Sequence, residues 1–349
     1  MDLNLIKSNN TINNKVRIYI AFTVVIILLI LGVIINIISG SIDITLNDLR
    51  SIILKDKQLS TLEYNILFKI RIPRIISAIL FGGALAISGF LLQTFFRNPI
   101  AGPYVLGISS GARFFVGIFI LTNININIFG IDSFNIFIAS FTGSILAMLF
   151  VLFFAKNIED ISALIVVGIM LGYIASAGTN LMITFAEREK IANLTLWSMG
   201  SFSGVTWDMI KLSAWIILPT IILIFVLSKP LEGYLLGESY AKSMGINIKI
   251  FRITLIFLSS ILSACVTAFA GPISFVGIAV PHLTRLIMKT SKPKVLIPGI
   301  FSLGSAFCLL SDYLARTLFS PVELNISTVT SFIGAPIVIW LMVNRRNRK

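Results

Sequence analysis

Residues 18–39 read IYIAFTVVIILLILGVIINIIS, a run without one charged side chain, with Lys15 and Arg17 just ahead of it. About 20 consecutive, mostly apolar residues are what a helix needs to cross the hydrocarbon core of a bilayer. The run is too long for the apolar core of a signal peptide, and no small-residue cleavage site follows, so it is expected to be retained as a span. The whole chain agrees with that local reading. Hydrophobic residues make up 56% of the 349 residues and charged residues 12%, with a mean hydropathy of +0.96. A soluble domain carries about 25% charged residues to cover its surface, so the expected fold class is an all-α polytopic membrane protein. The excess of 28 Lys+Arg over 15 Asp+Glu reads as retention of loops on an anionic cytoplasmic face, with no nucleic-acid role. One His and two Cys, Cys265 and Cys308, both inside apolar stretches, exclude a zinc, haem or disulfide framework.

Working outward, ten segments have the hydropathy of spans: roughly 18–39, 75–95, 104–122, 134–155, 162–184, 208–228, 252–270, 273–288, 295–315 and 326–343. The third and eighth carry Gly and Pro near their starts and read as short or broken. Lys and Arg set the orientation. Lys7, Lys15, Arg17, Lys229, Lys242, Lys249, Arg252, Lys289, Lys292, Lys294, Arg345, Arg346, Arg348 and Lys349 fall on one side if the N-terminus is cytoplasmic. An even number of spans then places both termini in the cytoplasm of a bacterium, with 229–251 as a cytoplasmic loop. The external stretch 40–74 nevertheless keeps Arg50, Lys55, Lys57, Lys69, Arg71 and Arg74, which the orientation rule leaves unexplained. Gly102-Pro103, Gly107 and Arg113 are echoed by Gly271-Pro272, Gly277 and Arg285. The echoes fall in oppositely oriented halves, the pattern of an inverted repeat in transporters, although a match this short also arises by chance.

Several chemistries are missing. There is no GxxxxGK[ST] stretch, hence no ATP site of that kind in this chain. Asp208 opens the sixth expected span, and Asp312, the one acid further inside a span, lies near its outer end. A proton- or sodium-coupled carrier needs buried Asp, Glu or His relays, and an intramembrane protease needs a catalytic constellation. The chain therefore reads as a pathway driven from outside itself, with no catalytic residue and no metal.

Four segments carry information. Arg71-Ile-Pro-Arg74 opens the second span, where Pro73 is tolerated in the first turn. Its arginines are either interfacial anchors or cationic sockets for carboxylates of an extracytoplasmic partner. Gly82, Gly83, Ala86 and Gly89 form a small-residue stripe for close helix packing. It leads to Gln93 and to Arg97-Asn98-Pro99, where Pro99 stops the helix. Gly237-Glu238-Ser239-Tyr240-Ala241-Lys242-Ser243-Met244-Gly245 reads as a short amphipathic helix, with Glu238 paired to Lys242 and Gly245 as its left-handed stop. It is either a protein-docking element or a solvated loop. Gly271-Pro-Ile-Ser-Phe-Val-Gly277 leads to Pro281-His282-Leu-Thr-Arg285. His282 reads as structural, and Arg285 as facing the cytoplasm or a neighbouring subunit.

In order along the chain, Arg71-x-Pro-Arg74, Gly89 to Gln93, Arg97-Asn98-Pro99, Leu106-Gly107-x-Ser109-x-Gly111-Ala112, Gly237-Glu238, Gly271 to Gly277 with Pro281-His282-x-x-Arg285, Ala315-Arg316 with Pro321-x-Glu323-Leu324, and Gly334-Ala335-Pro336 resemble the FecCD-type permeases. These are the membrane subunits of ABC importers for iron–siderophore complexes, haem and cobalamin. The resemblance implies about ten transmembrane helices in a type II ABC importer architecture with two pseudo-symmetric inverted halves. It also implies a second permease subunit, identical or paralogous, two cytoplasmic ATPase subunits that use ATP and Mg, and an extracytoplasmic substrate-binding protein. By the same resemblance Arg71, Arg74 and Arg316 dock the binding protein, and Gly237, Glu238, Ser239, Tyr240, Ala241, Lys242 and Gly245 couple to the ATPase. Gln93, Asn98 and Arg113 are candidates for the translocation path. Arg113 departs from the family pattern of a small or apolar residue, and it points to an anionic cargo or to a polar cavity edge. An iron complex is the cargo expected first and cobalamin the alternative; an ATP-independent carrier or channel is the rival class.

Overall fold

A computed structural model describes residues 2–40, 61–103, 107–122, 132–155 and 161–346. Arg50, Lys55, Lys57, Leu106, Arg348 and Lys349, and the start of the third expected span at 104–106, lie outside the described residues. The described residues are helical throughout: α1 (Asp2–Ile38), α2 (Ile72–Phe96), α3 (Ile108–Leu121), α4 (Asp132–Ala155), α5 (Ile161–Phe185), α6 (Arg188–Ser198), α7 (Trp207–Val226), α8 (Ser228–Leu236), α9 (Glu238–Ser243), α10 (Ile248–Ala270), α11 (Val276–Met288), α12 (Pro293–Thr317) and α13 (Ile326–Arg346). A helical turn at Thr61–Asn65 and a π-helical turn at Ile66–Arg71 lead into α2.

Seven of these helices are long and apolar enough to cross a membrane, and three shorter apolar ones lie within α3, α11 and α13. Helix α3 has 14 residues and α11 has 13. At 1.5 Å per residue each covers about 20 Å of a core about 30 Å thick. Neither half-span is long enough to cross alone, in line with the Gly and Pro at their starts. Each begins directly after a left-handed residue, Gly107 (φ 72°) for α3 and Phe275 (φ 63°) for α11.

Helix α2 is the hub, with 89% of its most apolar window buried against 11% for α1. It packs on α12, α10, α11 and α7, and its small residues let backbones meet. A β-carbon added at Gly89 would stand 1.8 Å from the Gly277 carbonyl oxygen, and one at Gly82 would stand 2.5 Å from that of Gly304. In lipid, close backbone packing of this kind replaces the hydrophobic drive that water would supply. The helix ends at Phe96, two residues earlier than Pro99 requires. Arg97 takes a left-handed C-cap at φ 48°, and Asn98 Oδ1 accepts the Ile100 amide at 3.1 Å to hold the turn.

The two halves are related by an inverted pseudo-two-fold. Ser88 Oγ of α2 donates to the Ser259 carbonyl at 2.8 Å, and Ser259 Oγ of α10 donates back to the Ser88 carbonyl at 3.0 Å. Their separation of 171 residues matches the spacing between the Gly-Pro and Gly echoes to within two residues. The helix after each half-span repeats the packing, α4 on α10 and α12 on α2.

Overpacking in a tight core costs about 1–3 kcal/mol or more. Gly89→Val is therefore expected to lower the thermal stability of the detergent-solubilised protein, read as loss of monodispersity on heating. Gly172→Ala is expected to leave it nearly unchanged, because its new β-carbon meets nothing closer than Ser110 Oγ at 3.4 Å. Equal stability of the two variants would contradict the role given to the α2–α11 contact.

Candidate functional site

Both ends of α2 carry charge, and each charge finds a partner inside the chain. At the N-terminal end, Arg74 Nε donates to both carboxylate oxygens of Asp312 on α12, at 2.9 and 3.1 Å. Its Nη1 donates to Glu323 at 3.1 Å. Asp312 also pairs with Arg316 one turn on, at 3.3 Å. Arg316 donates to the Ser39 carbonyl at 3.0 Å and to Asn36 Oδ1. Arg71 Nη1 donates to the Ile37 carbonyl at 2.7 Å. A charge removed from water is tolerable only when paired and hydrogen-bonded, and these arginines meet that condition internally. Side-chain exposure is 9% for Arg74 and 11% for Arg316, with Asp312 at 1%. The structure thus brings Arg71, Arg74 and Arg316 together at one end of the bundle, as a network sealed by Asp312 rather than as open sockets.

At the other end, α9 sits between α8 and α10. Gly237 (φ 132°) and Gly245 (φ 80°) supply the backbone conformations that isolate it. The pairing expected between Glu238 and Lys242 is not the one formed. Glu238 instead accepts from Arg252 Nη2 at 2.6 Å and from the Tyr234 hydroxyl at 3.1 Å, and it lies 3.7 Å from Arg97. Arg97 stacks over the Tyr234 ring at 5.5 Å. The physical reason is reach: Arg252 and Arg97 sit at the ends of two packed spans beside Glu238, while Lys242 points outward and is exposed. Burial raises the Glu238 carboxyl, but hydrogen bonds and charge from Arg252, helped by Tyr234 and Arg97, outweigh it and hold the group below its ordinary value. The rest of α9 faces out. Only Ala241 is buried, while Ser239, Tyr240, Met244 and Gly245 are exposed beside Leu236. An open depression of about 690 Å³ runs along Glu238, Ser239, Lys242 and Gly245 to Lys249.

The three path candidates are not brought together. Gln93 is buried in a helix joint. Its Nε2 donates to the Ile278 carbonyl at 3.0 Å and the Gly277 carbonyl at 3.3 Å, and its Oε1 accepts from Arg285 at 3.0 Å. Arg285 therefore folds back onto α2, over the Phe90 ring at 5.5 Å. Asn98 caps a turn. Arg113 is half-buried on α3, and its Nε has no partner among the described residues. A separate cavity of about 650 Å³ opens between the end of α6 and α13, lined by Ser198, Ser327, Ser331 and Phe332. Its wall includes Ala335 and Pro336 of the Gly334-Ala335-Pro336 motif, to which the sequence reading gives no role. Among the described residues no group of three or more His, Cys, Asp or Glu is placed to hold a metal ion.

An inverted helical bundle with two half-spans, a charged cluster at one end and an exposed short helix at the other is built as the membrane subunit of a transporter. The chain belongs to the FecCD transport family, whose model matches residues 28–344. It is 31% identical over 287 residues to the hemin transport system permease protein HmuU of Yersinia pestis, a match covering 82% of this chain and 85% of that protein. It is 33% identical over 282 residues to the vitamin B12 import system permease protein BtuC of Escherichia coli O9:H4 (strain HS), covering 80% and 84%. A solved structure of a metal-chelate type ABC transporter in an inward-facing conformation superposes with a TM-score of 0.81 at 29% identity, covering 93% of this chain and 99% of that one. PsaBC from Streptococcus pneumoniae in complex with Fab shares the fold at a TM-score of 0.51 and 17% identity, covering 76% and 88%. The chain is accordingly a multi-span ABC importer permease of a bacterial family.

A carboxyl with a depressed folded-state pKa stabilises fully above its ordinary value of about 4.3 and loses that contribution as pH falls through the lower folded value. Thermal unfolding of the solubilised wild type is expected to lose stability through that acidic window, and Glu238→Gln is expected to start lower and show a shallower acid slope. Superimposable pH profiles would remove Glu238 as the anchor of α9.

Proposed function

We propose that this chain is the membrane permease subunit of an ATP-driven importer that moves an iron-carrying complex, a ferric siderophore or haem, into the cytoplasm. The observation that carries the reading is α9, a short helix anchored by Glu238 to the ends of α2 and α10 whose remaining surface, Ser239, Tyr240, Lys242 and Met244, is exposed. An element so held at the foot of two central spans is suited to take up movement from a separate ATPase and pass it to the bundle. Closure of two ATPase subunits, using ATP and Mg, draws the α9 helices of two permease subunits together and switches the path between outward- and inward-open. The chain has no GxxxxGK[ST] stretch of its own, so hydrolysis belongs to the partner. The excess of Lys and Arg on the α9 side supports cytoplasmic termini in the cytoplasmic membrane. Arg71, Arg74 and Arg316 gather at the opposite end, where an extracytoplasmic substrate-binding protein docks by exchanging its carboxylates with partners these arginines already hold.

Iron is favoured by likeness to a hemin permease and to a metal-chelate transporter. A second reading, cobalamin, is favoured by likeness to the vitamin B12 permease. Arg113, with its partnerless Nε, supports an anionic cargo such as haem propionates or a carboxylate-type siderophore. A buried guanidinium without a role costs about 2.5–3.5 kcal/mol at a span centre.

Proteoliposomes holding this chain with a cognate ATPase and binding protein are expected to accumulate ferric siderophore or haem only with ATP inside. Scrambling 237–245 is expected to abolish uptake while binding-protein capture persists. Uphill accumulation by the chain alone would overturn the reading, and uptake confined to cobalamin would select the second. Arg113→Ala is expected to slow uptake of the anionic cargo several-fold at equal expression.

A further inference from the structure

Arg74 holds two carboxylates of different character. Asp312 is buried on α12 and shared with Arg316, a fixed counter-charge. Glu323 is half exposed, and its two oxygens accept from Arg74 Nη1 at 3.1 and 3.4 Å. It does not belong to a span. It rides on the link between α12 and α13, a link pinned at its end by the Leu324 amide donating to the Ala315 carbonyl at 2.8 Å. On another side Arg74 lines a small cavity of about 130 Å³ with Lys69, Ser203 and Thr206, large enough for the end of an acidic side chain. The wall of that cavity is fixed, because Trp207 Nε1 donates to the Phe68 carbonyl at 2.8 Å and joins the 203–206 segment to the turn before α2.

A half-exposed ion pair is weak, because water and salt compete for both groups. A guanidinium left with a free fork at the edge of a low-dielectric bundle is costly. Glu323 resolves both demands: it keeps Arg74 extended and neutralised, yet it is the contact that yields most readily.

We propose that Glu323 is a resident stand-in for a partner's carboxylate, occupying Arg74 while that face of the protein is free and exchanged for an acidic side chain that enters the cavity formed by Lys69, Arg74, Ser203 and Thr206. The inference rests on the docking role given to Arg74 above, and it adds two residues to it: Glu323 as an internal competitor that limits docking affinity, and Lys69 as a second cation for the incoming charge.

The test uses the full importer in proteoliposomes and a fluorophore-labelled, cargo-free cognate binding protein. Glu323→Gln is expected to tighten docking about three- to tenfold, and Lys69→Ala to weaken it several-fold. The gain from Glu323→Gln is expected to vanish in an Arg74→Ala background, where the competitor has nothing to block. Unchanged or weaker docking in Glu323→Gln, with Arg74→Ala still weakening it, would overturn the stand-in while leaving the docking role of Arg74 intact. Unchanged docking in Arg74→Ala would remove both. Unfolding temperatures of the solubilised variants identify any effect due to misfolding, and Glu323→Asp, which keeps the charge, is expected to retain part of the competition.

Discussion

Where Gly89 of α2 meets Gly277 at the start of α11, the two backbones approach so closely that no side chain fits between them. The remaining architecture depends on that contact. It fixes the half-span α11 against the middle of α2 and brings the Gly277 and Ile278 carbonyls within reach of Gln93. Gln93 in turn holds Arg285. A carbonyl at an interrupted helix start must find a donor when no water is present, and Gln93 supplies one. Helix α2 then joins the two chemically active ends of the molecule as a single rod, with Arg71 and Arg74 at one end and Arg97 at the other.

Each end of the rod shows the same electrostatic rule. A guanidinium near the membrane core brings a carboxylate with it, Asp312 for Arg74 and Arg316, Glu238 for Arg252 and Arg97. The Asp312 pairs are buried and those of Glu238 part-exposed; a buried pair contributes little net stability when intact, yet removal of one member leaves an uncompensated charge. Their value lies in fixing geometry. Glu238 ties a six-residue helix, too short to be stable alone, to two spans at once. Asp312 locks α12 to α2 and, through Arg316 and Asn36, to α1.

The inverted symmetry gives both half-spans a common construction, a left-handed residue followed directly by helix. One copy uses glycine and the other phenylalanine. The strain of a left-handed Phe275 is accommodated where its β-carbon fits against Gly334 of α13, while Gly107 at the first half-span packs against Gly168 and Gly172 of α5. Each half-span is thus seated on the second helix after it, with glycine supplying the room in both.

Hydropathy and the Gly-Pro punctuation made the spans, the two shortened helices, the inverted echo and the exposed α9 legible in the linear chain, because lipid solvation and backbone geometry act on local composition. The pairing of charges was not legible. Glu238 has Lys242 one turn away and nevertheless binds Arg252 and Arg97; Gln93 looks like a polar group on a pathway and is a helix joint; Arg74 and Arg316 look like free cations and already hold Asp312. Partner choice among charged groups depends on which spans lie side by side, and that is decided by glycine contacts between residues far apart in sequence. Composition determined that this chain lives in a membrane and bends within it, whereas tertiary packing alone decided which of its few charges meet, since pairing in a low-dielectric interior follows proximity in space and not in sequence.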